Sequence, residues 1–201
     1  MDKKTRLAVF VSGSGTNLQA IIDAQIKSVE IVVVVSNNPD AYAIERAKKH
    51  NISVEVIDHK QYSSREEFEK EIIRRLEPYR VDLIVLAGFM RILSPVFIRA
   101  YKNRIMNLHP ALLPLFPGMH AAKQALDSGV KFTGCTVHFV DEGVDTGPII
   151  LQAVVPIQDD DTEETLLERI HKEEHRIYPE AIRLFAEGKL RIEGRRVFVR
   201  E

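Results

Sequence analysis

Leu7-Ala8-Val9-Phe10-Val11-Ser12-Gly13-Ser14-Gly15-Thr16-Asn17-Leu18-Gln19-Ala20-Ile21-Ile22 is the stretch on which the fold turns. Leu7 to Val11 is apolar without alternation, the pattern of a strand buried on both faces, and such strands belong to parallel sheets covered by helices. Leu18, Ile21 and Ile22 then recur at helical spacing. The serine and glycine between them let backbone amides approach an anion at the positive end of that helix, so a phosphate is the natural occupant. A glycine-rich tight turn with no ligand is the plainer alternative. The loop is not the dinucleotide fingerprint, because Leu18 stands where a third glycine belongs and the second strand ends in Ser36-Asn37-Asn38 rather than Asp or Glu. No Gly-Lys-Ser/Thr is present for a P-loop.

Outward from this unit, Ile31 to Val35, Val54 to Ile57, Leu83 to Ala87 and Ile105 to Leu108 read as further buried strands. Phe68, Ile72 and Leu76 mark a helix that a Ser63-x-x-Glu66 capping box would start, and Ser94-Pro95 opens another. Alternating strands and helices predict an α/β fold, a doubly wound, mostly parallel sheet. Past His109 the pattern changes. Phe132 to Val140 and Ile149 to Ile157 are strands whose connection is too short for a helix, which leaves antiparallel pairing open. A long helix is expected from about Thr162 to Glu187, kinked at Pro179 and ended by Gly188, and Leu190 to Val199 around Glu193-Gly194 reads as a hairpin. With no repeat, low-complexity segment or linker, residues 1–201 are expected to form a single domain.

The 201 residues carry 28 basic against 29 acidic side chains, so net charge gives no sign of a nucleic-acid or anionic-membrane partner. The apolar stretch after Arg6 is too short for a secretory signal, and Ile31 to Val35 falls far below the roughly 20 residues that cross a bilayer. Cys135 is the one cysteine, which excludes an internal disulfide and fits a reducing, cytoplasmic setting. On an apolar strand it is expected to pack.

Asn107-Leu108-His109-Pro110 closes the fifth strand. Residues two apart share a face, so Asn107 and His109 project together beyond the carboxyl end of the sheet, where open α/β sheets bind ligands. A histidine and an amide side by side suit stabilisation of a developing oxyanion, as acyl transfer requires, although both could simply cap loop backbone. Asp145, in a glycine-bounded loop, would favour the charged imidazolium if the fold brought it near, but a solvated turn aspartate is the commoner role. His171-Lys172-Glu173-Glu174-His175 matches a zinc pattern without an evident third ligand, so one polar face of an amphipathic helix is the favoured reading and no metal is expected.

Taken together, Val11 to Ala20, Ala87-Gly88-Phe89-Met90-Arg91-Ile92-Leu93-Ser94, Asn107-Leu108-His109-Pro110 and Asp145-Thr146-Gly147-Pro148-Ile149-Ile150 resemble, in order, the phosphoribosylglycinamide formyltransferases, folate-dependent enzymes of purine synthesis. The resemblance implies that Asn107, His109 and Asp145 are catalytic. It implies that Gly15, Thr16, Asn17 and Glu174 bind glycinamide ribonucleotide. Arg65, Met90, Arg91, Ile92 and Leu93, with Asn107 and the loop Asp141, Glu142, Gly143, Val144 and Asp145, would bind the cosubstrate 10-formyltetrahydrofolate. The N-terminal half would then hold phosphate and the C-terminal half complete the folate cleft, with small molecules as partners and neither nucleic acid nor membrane. A methionyl-tRNA formyltransferase is disfavoured by the near-neutral charge and by the end of the chain at Glu201. A formyltetrahydrofolate hydrolase is disfavoured by the few residues before Leu7, and a non-catalytic nucleotide-binding module leaves Asn107, His109 and Asp145 unexplained.

Overall fold

The apolar run at the head of the chain forms β1 (Thr5–Val11), in which Leu7 to Val11 are completely buried. In the computed structural model, which describes residues 2–201, the chain divides into two compact units, one ending at Met106 and one running from Asn107 to Glu201. After β1 the first unit contains α1 (Thr16–Asp23), β2 (Val29–Ser36), α2 (Tyr42–Lys49), β3 (Val54–Val56), α3 (Arg65–Leu76), β4 (Leu83–Leu86), α4 (Pro95–Ala100) and the start of β5 (Ile105–His109). Its strands run in the order β3-β2-β1-β4-β5 with every pairing parallel. The chain builds outward from β1 through β2 and β3, then returns to lay β4 and β5 on the other flank. The carboxyl ends of β1 and β4 therefore meet at a topological switch point, the place where such sheets bind ligands.

In the second unit, β6 (Phe132–Phe139) and β7 (Ile149–Pro156) pair antiparallel, Phe132 opposite Pro156, with a bulge between Val137 and His138. The short connection anticipated between them is present. Ahead of them lies α5 (Ala121–Ser128), and after them α6 (Glu163–Ala186), β8 (Leu190–Glu193) and β9 (Arg196–Val199), a hairpin whose second strand joins β7 in parallel. The architecture is thus mixed α/β, mostly parallel, with antiparallel C-terminal strands.

Strand ends fall within two residues of those predicted. The cap of α3 is shifted by one residue: Ser64, not Ser63, caps the helix, its hydroxyl accepting from the Glu67 amide at 3.1 Å while Ser63 Oγ donates to the Glu67 carboxylate at 2.6 Å. Burying Phe68, Ile72 and Leu76 on one face sets the helical phase, and that phase leaves Ser64 as the last extended residue. Helix α6 is capped by Thr162 and runs on through Pro179, which withholds an N–H from the carbonyl of His175, and Gly188 with φ 69 follows its end. Among the described residues no helix is long and apolar enough to cross a membrane.

Candidate active site

At the carboxyl end of β1 the glycine loop is held by its carbonyls. The Ser12 oxygen accepts from Asn38 Nδ2 at 3.1 Å, the Gly13 oxygen from the Ala43 amide at 3.0 Å and the Ser14 oxygen from Arg46 Nε at 2.7 Å. Gly15, with φ 78, is the N-cap of α1 and supplies no side chain to cap it. The amides of Gly15, Thr16 and Asn17 donate to nothing among the described residues, as expected for a helix start awaiting an acceptor. Carbonyls tied back and amides left open are the arrangement that anion-binding loops at helix starts use.

The segment after β4 lies against this loop. The buried Ser12 hydroxyl accepts from the Met90 amide at 2.8 Å and donates to Asn37 Oδ1 at 2.5 Å. Met90 and Ile92 stand out at 72% and 69% exposure, large apolar surfaces of the kind a flat heterocycle covers, whereas Leu93 is buried and packs. Arg91 is exposed, and Arg65, at the first turn of α3, reaches the Ile92 carbonyl at 3.5 Å. Buried Glu69 receives the Ser94 amide at 2.9 Å and so anchors the far end of the segment, a role its sequence context did not announce.

In the second unit Asn107 is half-buried, and its side-chain amide makes no hydrogen bond to the described residues. His109 is 5% exposed. Its Nδ1 lies 3.4 Å from Asp145 Oδ2, and its Nε2 lies 2.7 Å from the Phe116 carbonyl, which can only accept, so Nε2 carries a hydrogen. Both ring nitrogens face acceptor oxygens. The fold thus brings together the imidazole and carboxylate that the sequence could not join. Asp145 sits at φ 54, a left-handed conformation that aspartate tolerates better than most residues, and its Oδ2 also accepts from the Gly118 amide at 2.8 Å. The preceding turn is braced by Asp141, whose Oδ1 takes the Gly143 amide at 3.0 Å and the Thr146 hydroxyl at 2.5 Å, leaving Glu142, Gly143 and Val144 exposed.

His138 was not singled out from sequence, because a lone histidine on an apolar strand carries no local signal. The bulge in β6 sets its Nε2 3.9 Å from Asp145 Oδ1, and its Nδ1 approaches the Phe139 carbonyl at 2.9 Å. Burial holds the imidazole below its ordinary range, only partly opposed by that carbonyl and by Asp145. A histidine depressed in this way binds fewer protons folded than unfolded, so its contribution lowers stability as pH drops through the unfolded value near 6.5. Burial depresses His175 likewise, whereas His171 is raised by Glu174, so the difference between variants is the readout. Between about pH 7 and pH 5.5, His138→Gln should lose less unfolding free energy in chemical denaturation than the wild type; equal losses would show that another group titrates.

On α6, Glu174 is buried at 4% exposure and accepts from His171 Nδ1 at 2.8 Å. The histidine pattern therefore serves the carboxylate between its members rather than being only a polar face. No group of three or more His, Cys, Asp or Glu among the described residues is arranged to hold a metal ion. Cys135 is fully buried, its thiol pushed up to about 12 chiefly by burial, and it packs.

A parallel sheet with an open amide nest at its switch point, and an amide, imidazole and carboxylate set out on a strand end and its neighbouring loop, define the class. The chain belongs to the formyl transferase family, whose profile matches residues 5–182 and so runs through both units. Within that family it is similar to the phosphoribosylglycinamide formyltransferase of Escherichia coli, 44% identical over 190 residues that cover 92% of this chain and 89% of the relative. A crystal structure of glycinamide ribonucleotide transformylase 1 from Symbiobacterium toebii is 53% identical with a TM-score of 0.96, covering 98% of this chain and 95% of that one. The trifunctional purine biosynthetic protein adenosine-3 of Drosophila melanogaster is 51% identical over 191 residues, 92% of this chain but only 14% of the larger protein.

Proposed function

We propose that this chain transfers the formyl group of 10-formyltetrahydrofolate to the amine of 5′-phosphoribosylglycinamide in purine biosynthesis, acting as one formyltransferase domain in the cytoplasm. The observation that carries the chemistry is buried His109 with Asp145 at one ring nitrogen and a carbonyl oxygen at the other. The single Nε2 hydrogen is donated to the Phe116 oxygen in the free protein, and in the reaction the developing oxyanion takes that oxygen's place as the acceptor. The substrate amine attacks the formyl carbon, the new N–C bond forms, and the carbonyl oxygen becomes an oxyanion that His109 Nε2–H and the free Asn107 amide stabilise. The C–N10 bond then breaks. Asp145 orients His109 and helps pass the amine proton, through water, to the departing folate nitrogen. Gly15, Thr16 and Asn17 take the ribonucleotide phosphate on their open amides, and Glu174 meets the glycinamide part of the same substrate. Met90, Arg91 and Ile92, with Arg65, Asn107 and the loop Asp141 to Asp145, take the folate, and buried Leu93 contributes to that segment through its backbone and its packing.

Tetrahydrofolate release from 10-formyltetrahydrofolate, followed with and without the ribonucleotide, tests the reading. Release is expected only when the ribonucleotide is present, with formylated ribonucleotide appearing in equal amount. Release without it would make the chain a hydrolase, and folate binding with no release would make it a binding module.

A further inference from the structure

Arg46, on α2, is the charged side chain that touches the glycine loop, and no carboxylate pairs with it among the described residues. Its guanidinium lies 5.0 Å over the Tyr42 ring, its Nη1 donates to Gln19 Oε1 at 3.4 Å, and its Nε donates to the Ser14 carbonyl at 2.7 Å. The peptide joining Ser14 to Gly15 is planar and trans, so its N–H points away from its C=O. A donor fixed on the Ser14 oxygen therefore fixes the direction of the Gly15 N–H, the first of the three open amides that continue through Thr16 and Asn17. Neutral donors hold the Ser12 and Gly13 oxygens; the oxygen next to Gly15 receives the charge-assisted one, the stronger kind. Stacking on Tyr42 and the bond to Gln19 limit the rotamers from which Arg46 can do this.

We infer that Arg46 is a positioning residue for the phosphate of the ribonucleotide: it acts from behind the loop, aiming the Gly15 amide and polarising the peptide that carries it. The inference rests on the reading of the loop as the phosphate seat. A cationic residue that polarises the amide also raises its affinity for a doubly charged anion, and it does so without contacting the ligand.

The test compares kcat/KM for 5′-phosphoribosylglycinamide and for the same glycinamide riboside lacking its phosphate, in wild type, Arg46→Met and Arg46→Lys. Arg46→Met should lower kcat/KM for the phosphorylated substrate by roughly tenfold, the order expected from one charge-assisted hydrogen bond, through KM rather than kcat. It should leave the riboside nearly unchanged. Arg46→Lys, which keeps the charge but not the fixed fork, should recover part of the loss. An equal fall on both substrates would make Arg46 a merely structural residue and overturn the inference, as would no fall on either. A wild type that does not prefer the phosphorylated substrate would instead overturn the reading of the loop.

Discussion

His109→Ala is expected to slow ribonucleotide-dependent tetrahydrofolate release by about a hundredfold or more while leaving both Michaelis constants within a few-fold of wild type. Removal of a single preorganised oxyanion donor costs on that order in turnover, because the donor is worth most in the transition state. His109 is buried at the end of β5, its ring held between Asp145 and the Phe116 carbonyl, so its loss leaves the oxyanion with the Asn107 amide alone. Asp145→Asn keeps the shape of the side chain but removes the charge facing Nδ1, and it should also depress kcat. If the two act as a unit, the double variant will be scarcely slower than His109→Ala alone. Multiplicative losses in steady-state turnover would show independent roles, and a change confined to KM would remove His109 from the chemistry.

Gly15→Ala should raise KM for the ribonucleotide by more than about tenfold, spare folate affinity and lower the thermal midpoint by several degrees. At φ 78 an L side chain costs about 1–2 kcal/mol. The added Cβ would stand 2.6 Å from Ala43 Cβ and 2.9 Å from Ala43 Cα, and these atoms belong to the body of α2 rather than to a flexible side chain. The loop must move, and its amides move with it. For a chain of this size each 1 kcal/mol shifts the midpoint by roughly 2–4 °C. Ribonucleotide affinity unchanged in calorimetry, alongside a lowered midpoint, would mean that the phosphate is held elsewhere.

Several elements were readable because their signal is local. The strands β1, β2 and β4 declare themselves as unbroken apolar runs, and α6 by long periodicity with Gly188 beyond its end. Helices α2 and α5 did not, since the faces they bury are mostly alanine: Ala43 and Ala47 in one, Ala121, Ala122 and Ala125 in the other. Alanine adds little apolar contrast, and the caps at Ala41 and His120 offer no side-chain bond to the helix start. The α3 cap was misplaced by one residue because Ser63 and Ser64 are equally good caps by type, and only the packing of Phe68 chooses between them.

The same division runs through the site. Sequence by itself determined the parallel α/β frame, the open glycine loop after β1 and the shared face of Asn107 and His109, since each follows from a period of two or about four residues or from the chemistry of adjacent side chains. Only the tertiary structure decided that Asp145 faces His109, that a bulge in β6 turns His138 toward the same carboxylate, and that Arg46 grips the loop from α2. The first and last of those contacts join residues far apart in the chain, and the second depends on the bulge in β6. They arise where burial fixes whole elements against one another, and no local pattern of residues encodes which distant partner will meet them.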